Sequence, residues 1–350
     1  MSTTRHPSDL PYPSVDEMLG EALYPHESDL ALQIADAIEK SIREQYRPGQ
    51  ARRDAHPKAT GFVEAEFRVN DSLAPSLAQG VFVPGKVYQA WIRFSNGAGD
   101  PTRSDDNDDG RGMAIKLLGV PGPKLLENDR EATSQDFVMI NHPVFLANDP
   151  HRYLSLVEKA SSGRLLDKVT IPFALGLKGT LRAKEISSGK ISNPLQVRYF
   201  SAVPYQLGVG AERQAIKFSV MPATAEVDPM PAQRGPDYLR EAMKRTLAER
   251  DVVLKFLVQP RTSDSMSVED SMTAWDEAQA PFFEVASIHI PRQEFDTPER
   301  NRLGEDIAYS PWHSLPEHRP LGSTNRLRKL IYDRISRVRH EMNSVEQPGP

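Results

Sequence analysis

The chain has 350 residues, of which 39% are hydrophobic, with a formal net charge of −5 and no cysteine. This length and composition are sufficient for one large globular domain with a hydrophobic core. The lack of cysteine excludes disulfides, thiolate nucleophiles, iron-sulfur clusters and cysteine-based zinc sites. The negative charge argues against nucleic acid as a partner.

The first fifteen residues contain no apolar run of the signal-peptide type, and no stretch of eighteen consecutive apolar residues occurs anywhere in the sequence. A signal peptide is typical of secreted proteins, and an apolar run of that length is typical of membrane-spanning helices. The sequence therefore predicts a cytoplasmic protein without a membrane span.

The first predicted element is a helix with Ser28 as its N-cap, ending before Arg47. Its apolar residues recur at helical spacing at Leu30, Ile34, Ala37 and Ile38. The pattern then changes to short runs of strand-forming residues separated by Gly, Pro, Asn and Asp. These runs cover residues 62–69, 87–95, 113–118, 136–141, 196–202, 216–221, 252–258 and 283–290. About eight strands favour a β-barrel.

Three other segments complete the predicted architecture. Residues 150–194 contain a predicted helix over 153–160 and form an insertion outside the barrel. A further amphipathic helix spans residues 236–250. Residues 291–322 are rich in Pro, charge and aromatic side chains, which predicts an irregular arm that wraps around the barrel.

The last predicted helix covers residues 325–342 and places Arg328, Tyr332 and Arg339 on one side, since steps of four and seven residues return to the same face. Two fixed positive charges would favour the ionised form of the phenol, which is a suitable ligand for ferric iron. Alternatively, Tyr332 only borders the core stripe of an ordinary amphipathic helix. That stripe consists of Leu327, Leu330, Ile331, Ile335 and Val338.

The other motifs in the sequence do not indicate a functional site. Asp105, Asn107, Asp109 and Gly110 match the first half of an EF-hand loop, but Lys116 occupies the position of the bidentate Glu, so we interpret the segment as a solvated acidic loop. His313 and His318 are five residues apart, which suits no common metal site. The sequence lacks the G-x-S-x-G, G-x-x-x-x-G-K-[ST] and G-x-G-x-x-G motifs.

Five phrases, in order, resemble the haem catalase family. The first two are residues 53–62 (RDAHPKATGF), similar to R-x-x-H-x-K-x-x-G, and residues 93–99 (RFSNGAG), similar to R-F-S-T-V-x-G. The next two are residues 109–116 (DGRGMAIK), similar to D-x-R-G-F-A-V-K, and residues 135–150, which contain Q-D-F, N-H-P-V-F and D-P. The last is Arg328-x-x-x-Tyr332 with Arg339 seven residues further on. The segment 311–322 resembles a small catalase-related subgroup.

The resemblance implies an α+β fold: an eight-stranded antiparallel β-barrel with flanking helices, and haem b buried between the barrel and a C-terminal helix. It also implies an N-terminal arm and helix over residues 1–52 and one haem-binding domain over 53–350. Tyr332 would bind ferric iron as a tyrosinate, His56 would be the distal acid and base, and Ser95 would support it by a hydrogen bond. The remaining haem contacts would come from Arg53, Arg93, Arg328, Arg339, Phe145 and Tyr153.

Haem catalases also carry an amide side chain on the distal side of the haem, and two residues of this sequence could correspond to it. It falls on Ile140 in an ungapped alignment on Pro143, and on Asn141 after a shift of one residue, and the sequence leaves both registers open. We take Asn141 as the candidate catalytic amide. If the amide is lost, rapid dismutation of hydrogen peroxide is in doubt.

The resemblance predicts a haem-dependent oxidoreductase that activates hydrogen peroxide or an organic hydroperoxide, with an unidentified reductant. Two alternatives stay open: a fatty-acid hydroperoxide isomerase or lyase, and a haem-binding or sensing protein without turnover. The chain is shorter than typical catalases, which predicts a monomer or a small homo-oligomer.

Overall fold

The structure, a computed structural model, describes residues 10–161 and 170–346. Within these residues nine β-strands form one antiparallel sheet with six α-helices around it. The strands are β1 (Ala59–Val69), β2 (Val87–Asn96), β3 (Arg111–Leu118), β4 (Ser134–Ile140), β5 (Tyr199–Phe200), β6 (Tyr205–Leu207), β7 (Gln214–Pro222), β8 (Val252–Pro260) and β9 (Phe283–Ile290). The helices are α1 (Glu27–Gln45), α2 (Pro150–Ser161), α3 (Ile171–Ser187), α4 (Tyr238–Glu249), α5 (Pro298–Asp306) and α6 (Ser323–Asn343).

The sheet closes into a barrel of eight strands. Strand β1 pairs with β2 on one side and with β9 on the other, and β5 links β4 to β7. Strand β6 pairs with another part of β7 and lies outside this closed circle. Closure satisfies the strand edges that an open sheet would leave unpaired. The predicted eight-stranded antiparallel barrel is therefore confirmed.

The barrel interior is filled by aromatic side chains. The Phe137 ring contacts those of Phe67, Phe218 and Phe256 at centroid distances of 6.4, 5.1 and 4.9 Å. Successive strand residues point to opposite faces of a sheet, so every second residue enters this core. The alternate residues face outward, and on β2, β3 and β4 they form one wall of the candidate site.

The fifth predicted strand is shorter than expected. Of residues 196–202, only Tyr199 and Phe200 pair in the sheet. Ala202 has a φ of 59°, a left-handed conformation that turns the chain, and Pro204 has no amide hydrogen to donate. The chain resumes pairing only at β6, which the sequence analysis missed.

The first helix begins two residues earlier than predicted, and the proposed N-cap Ser28 is wrong. His26 precedes the helix in a left-handed conformation, and Glu27 is its first residue. The Glu27 carboxylate accepts hydrogen bonds from the Tyr24 backbone amide at 3.0 Å and from Arg326 Nε at 2.7 Å. These contacts fix the start of α1, which packs against α2 and α6.

The division into residues 1–52 and 53–350 stays a prediction, and residues 1–9 and 347–350 lie outside the described part of the chain.

The arm over residues 291–322 is not irregular throughout, because it contains α5. The Thr297 hydroxyl accepts a hydrogen bond from the Arg300 amide at 3.2 Å, and Pro298 occupies the first turn. Thr followed by Pro is a start signal that the sequence offered. Helix α5 packs against β1, where Gly304 is required because a Cβ there would lie 2.7 Å from Phe62 Cγ.

The acidic loop is not solvated as predicted. Asp105 is fully buried. Its carboxylate accepts hydrogen bonds from Asn96 Nδ2 at 2.7 Å and from the Leu239 backbone amide at 3.0 Å, and it forms an ion pair with Lys58 Nζ at 2.9 Å. The loop is therefore tied to the barrel by a buried polar network.

No group of three or more His, Asp or Glu side chains that could hold a metal ion occurs among the described residues.

The predicted insertion after β4 contains α2 and α3, while its residues 162–169 lie outside the described part. The chain bends inside α3 at Gly176, where a φ of 68° favours glycine and a Cβ would lie 2.2 Å from Arg152 Nη1. In the described ranges, none of the helices has the length and apolar character needed to cross a bilayer.

Candidate functional site

Most of the predicted site residues line one cavity between the outer face of the barrel and helix α6. It encloses about 940 Å³ of space, including its open mouth. Strands β2–β4, residues 53–56, α6 and the segment after α5 contribute its walls.

The strand wall follows from the two-residue repeat. Arg93 and Ser95 on β2 line the cavity, and their partners across the sheet are Ala114 and Gly112 on β3. Val138 on β4 pairs with Ala114 and extends the same wall. Residues two apart share a face, so the intervening side chains of Phe94 and Met113 lie in the barrel core.

His56 stands on this wall. Its imidazole Nδ1 lies 3.1 Å from Ser95 Oγ, and its backbone has a φ of 60°. A Cβ on Gly112 would lie 2.5 Å from His56 Nδ1 and 2.8 Å from Ser95 Oγ, so the ring occupies the space that glycine leaves free. Burial, together with the positive charge of Arg93, lowers the pKa of His56 to about 4. The imidazole is therefore neutral at pH 7 and can accept a proton.

Helix α6 forms the other wall. Tyr332 lines the cavity with Ile331, Ile335, Ser336 and Arg339, which follow one helical face. The phenol is thus placed on the helix side of a space whose strand side carries His56.

A cluster of guanidinium groups lies at this cavity. Arg53, Arg93 and Arg339 all line it. Burial and the charge of Arg53 lower the pKa values of Arg93 and Arg339 to about 9 each. Because each positive charge destabilises the others, the cluster favours binding of an anion.

The protein only partly compensates these charges. Glu305 Oε1 accepts from Arg53 Nη1 at 3.1 Å, and although burial opposes its ionisation, Arg53 and Arg93 lower the pKa of Glu305. Arg339 Nη1 donates to the backbone oxygen of Glu305. Among the described residues, the buried Nε of Arg93 has no hydrogen-bond partner. Buried donors without partners are rare, so an additional acceptor fits this site.

Arg328 does not line the cavity, although it belongs to the predicted face of α6. Its guanidinium lies 5.1 Å from the centre of the Phe145 ring and donates to Asn325 Oδ1 at 3.3 Å. Arg328 and Phe145 border a smaller pocket of about 290 Å³, which shares Tyr153 with the main cavity. Arg328 is still close enough for its charge to help lower the pKa of His56.

Asn141 is not among the cavity-lining residues either. Its side-chain Oδ1 accepts a hydrogen bond from the Arg111 backbone amide at 2.7 Å, and its backbone amide donates to the Arg111 backbone oxygen at 2.9 Å. Ile140 is the last residue of β4 and pairs with Gly112. No amide side chain lines the cavity within the described ranges, so the structure gives no support to a distal role for Asn141.

Seven of the ten predicted site residues thus come together at one cavity, while Asn141, Arg328 and Phe145 do not line it. Sequence reasoning missed Asp54 and Tyr309 in its walls, and Glu305 beside it. Burial raises the pKa of Asp54 to about 6. Asp54 lies inside the recognised phrase beginning at Arg53, which was the available signal. Tyr309 and Glu305 had no local signal, because only the fold of the arm brings them to the barrel.

The residues present fit a flat cofactor that carries carboxylates and a central metal. The guanidinium cluster with its unpartnered Arg93 Nε suits the carboxylates, and the phenol of Tyr332 is a hard ligand for ferric iron. The walls between them are largely apolar, as haem requires.

Comparisons with known proteins agree with this picture. No family model matches the chain. A protein from Mycolicibacterium paratuberculosis named catalase-related peroxidase is 23% identical over 310 residues, covering 85% of this chain and 92% of its own length.

Solved catalases share the fold. A fungal catalase superposes with a TM-score of 0.65 at 18% identity over 95% of this chain, and catalase A from Saccharomyces cerevisiae with 0.62 at 17% over 93%. A bacterial catalase gives 0.65 at 17% over 98%. The chain spans about two thirds of the length of these enzymes, 66 to 68%. The predicted resemblance to catalases is thus confirmed in the fold.

Proposed function

We propose that this protein, which has the catalase fold, is a haem-dependent oxidoreductase that acts on hydrogen peroxide or an organic hydroperoxide. The observation that carries the proposal is one cavity with Tyr332 on its helix wall, His56 on its strand wall and three arginines around it. The name of the mycobacterial relative supports the same class of reaction.

Tyr332 would bind the iron of haem b as a tyrosinate, and Arg53, Arg93 and Arg339 would bind its two carboxylates. Paired guanidinium and carboxylate groups make strong, charge-assisted hydrogen bonds. When bound, ferric haem supplies a Lewis-acidic and redox-active iron for the peroxide. Arg328 would act on Tyr332 through its charge, and Phe145 and Tyr153 would border the cofactor.

His56 would move the proton. Its Nδ1 lies within hydrogen-bond distance of Ser95 Oγ, so a hydrogen on Nδ1 donated to Ser95 leaves Nε2 as the acceptor. Nε2 then takes the proton from one peroxide oxygen and returns it to the other oxygen as the bond between them breaks. The low pKa of His56 keeps the imidazole neutral before each cycle.

The test compares substrates on haem-loaded protein. We expect consumption of hydrogen peroxide or of a fatty-acid hydroperoxide, with an organic electron donor present, at a rate well above that of free haem at equal concentration. Rates equal to free haem with both peroxides would contradict the proposal. The reductant, the cytoplasmic location and a monomeric or small homo-oligomeric state stay predictions.

A further inference from the structure

Tyr309 has a buried hydroxyl that the protein leaves without a partner. Its residue lines the main cavity, and its oxygen makes no hydrogen bond. Tyr46 and Tyr205 also have buried, unpartnered hydroxyls among the described residues, but neither lines that cavity. A buried donor without an acceptor is unfavourable, so the position of Tyr309 needs an explanation.

The ring of Tyr309 is held against a buried ion pair. Lys116 follows Gly112 and Ala114 on the same face of β3, one step beyond the cavity wall. Its Nζ lies 5.4 Å from the centre of the Tyr309 ring and 2.6 Å from Asp136 Oδ1. Tyr309 therefore separates the cavity from this pair.

The neighbouring carboxylate of Asp136 accepts no hydrogen bond from the phenol. Asp136 Oδ1 accepts a hydrogen bond from Lys116 Nζ. Asp136 Oδ2 accepts one from the Ser310 backbone amide at 2.9 Å and lies 2.8 Å from His313 Nδ1. Each oxygen of Asp136 thus already has a donor.

The other charged neighbours of the phenol are cations. Arg53 and Arg93 act electrostatically on Tyr309, and guanidinium groups have no acceptor to offer. Burial, aided by Asp136, raises the pKa of Tyr309, so the phenol keeps its hydrogen and is a donor. A neutral donor beside a cluster of arginines complements an anion that those arginines bind.

We propose that Tyr309 donates a hydrogen bond to a carboxylate of the bound cofactor, as a fourth contact beside Arg53, Arg93 and Arg339. This inference rests on the proposed haem-dependent function. It makes Tyr309 a specificity-determining residue for a cofactor with free carboxylates.

The test uses Tyr309→Phe, with Tyr46→Phe as the matched control because its hydroxyl is also buried and unpartnered but lies away from the cavity walls. Affinities of the haem-free proteins for ferric haem and for haem dimethyl ester are measured by titration. Loss of a hydrogen bond to a charged group predicts about a ten- to hundredfold weaker binding of haem to Tyr309→Phe. We expect no such loss for the dimethyl ester, and none for Tyr46→Phe with either ligand.

Haem-free Tyr309→Phe should be at least as stable to urea as the parent protein, because it loses an orphan hydroxyl. Unchanged affinity of Tyr309→Phe for haem, or equal losses for haem and its ester, would overturn the inference while leaving the proposed function standing. A parent protein that binds no haem would instead overturn both.

Discussion

The imidazole of His56 and the hydroxyl of Ser95 lie 3.1 Å apart, above a glycine that leaves no room for a methyl group. The strand pairing of Ser95 with Gly112 produces this arrangement, since it places a hydroxyl group next to a position without a side chain. The barrel wall therefore fixes the position of the His56 ring on one side.

Replacement of His56 by alanine should remove proton transfer and leave the cofactor contacts intact. We expect peroxide consumption by haem-loaded His56→Ala to fall about 10²- to 10⁴-fold, the usual contribution of a general acid and base. The Soret absorbance per protein should stay near that of the parent. The exposed His151 provides the control, and His151→Ala should be fully active. Normal turnover by His56→Ala would exclude it as the proton carrier.

Addition of one methyl group at Gly112 should displace His56. In Gly112→Ala the new Cβ would lie 2.5 Å from His56 Nδ1, a distance that real Cβ atoms do not adopt. We expect at least about a tenfold loss of turnover from a misplaced base. Gly189→Ala, where nothing lies within 4 Å, should behave as the parent. Equal rates for the two variants would show that the ring is not confined as described.

The stability of the haem-free protein should fall in mild acid because of buried histidines. Burial lowers the pKa of His318 to about 3, whereas an unfolded histidine titrates near 6.5. Between these values the unfolded state binds more protons. The contribution of His318 to the free energy of unfolding is therefore fully present above pH 6.5 and is lost as the pH falls.

His318→Gln isolates this effect in urea unfolding at pH 7 and pH 5. The His318 Nε2 accepts from the Val81 amide at 3.0 Å, and the Gln oxygen can replace that acceptor. We expect the loss between the two pH values to be about 2 kcal/mol smaller in the variant than in the parent. An identical loss in both proteins would contradict the assignment. His313 works in the opposite direction, because Asp136 and Asp129 raise its pKa although burial opposes this.

Arg326 should be essential for stability. It is fully buried, with Nε 2.7 Å from Glu27 and Nη1 2.8 Å from Glu21 and 2.9 Å from Glu269. Arg326→Met would leave the buried Glu27 without a cation and Glu21 with Arg319 alone, at a cost of about 3–5 kcal/mol of unfolding free energy. The exposed Arg302, 3.7 Å from Asp306, is the control, and Arg302→Met should change stability by less than about 0.5 kcal/mol. Similar values for the two variants would refute the role of the buried network.

The barrel was predictable because alternation along β2, β3 and β4 and turn residues between strands are local signals. The end of the fifth strand was not, since the left-handed Ala202 carries no glycine or asparagine signature. Helix α5 could have been predicted from Thr297 and Pro298, but the aromatic and charged residues around it concealed the pattern.

The site was predictable where its residues belong to short phrases. Arg93 and Ser95 face the cavity because they are two apart on one strand, and Tyr332 and Arg339 because they are seven apart on one helix. Arg328 lies four residues before Tyr332 on the same predicted face, yet its guanidinium contacts Phe145 instead, which depends on the packing of a distant segment. Tyr309 also reaches the site only through a long-range contact, with Lys116.

The most direct test of the account is the absorption spectrum of the haem-loaded protein beside that of Tyr332→Phe. We predict a high-spin ferric Soret band in the parent that shifts or disappears in the variant, while Tyr46→Phe keeps the parent spectrum. Identical spectra for the parent and Tyr332→Phe would contradict tyrosinate ligation. A parent protein that takes up no haem would contradict the central claim itself.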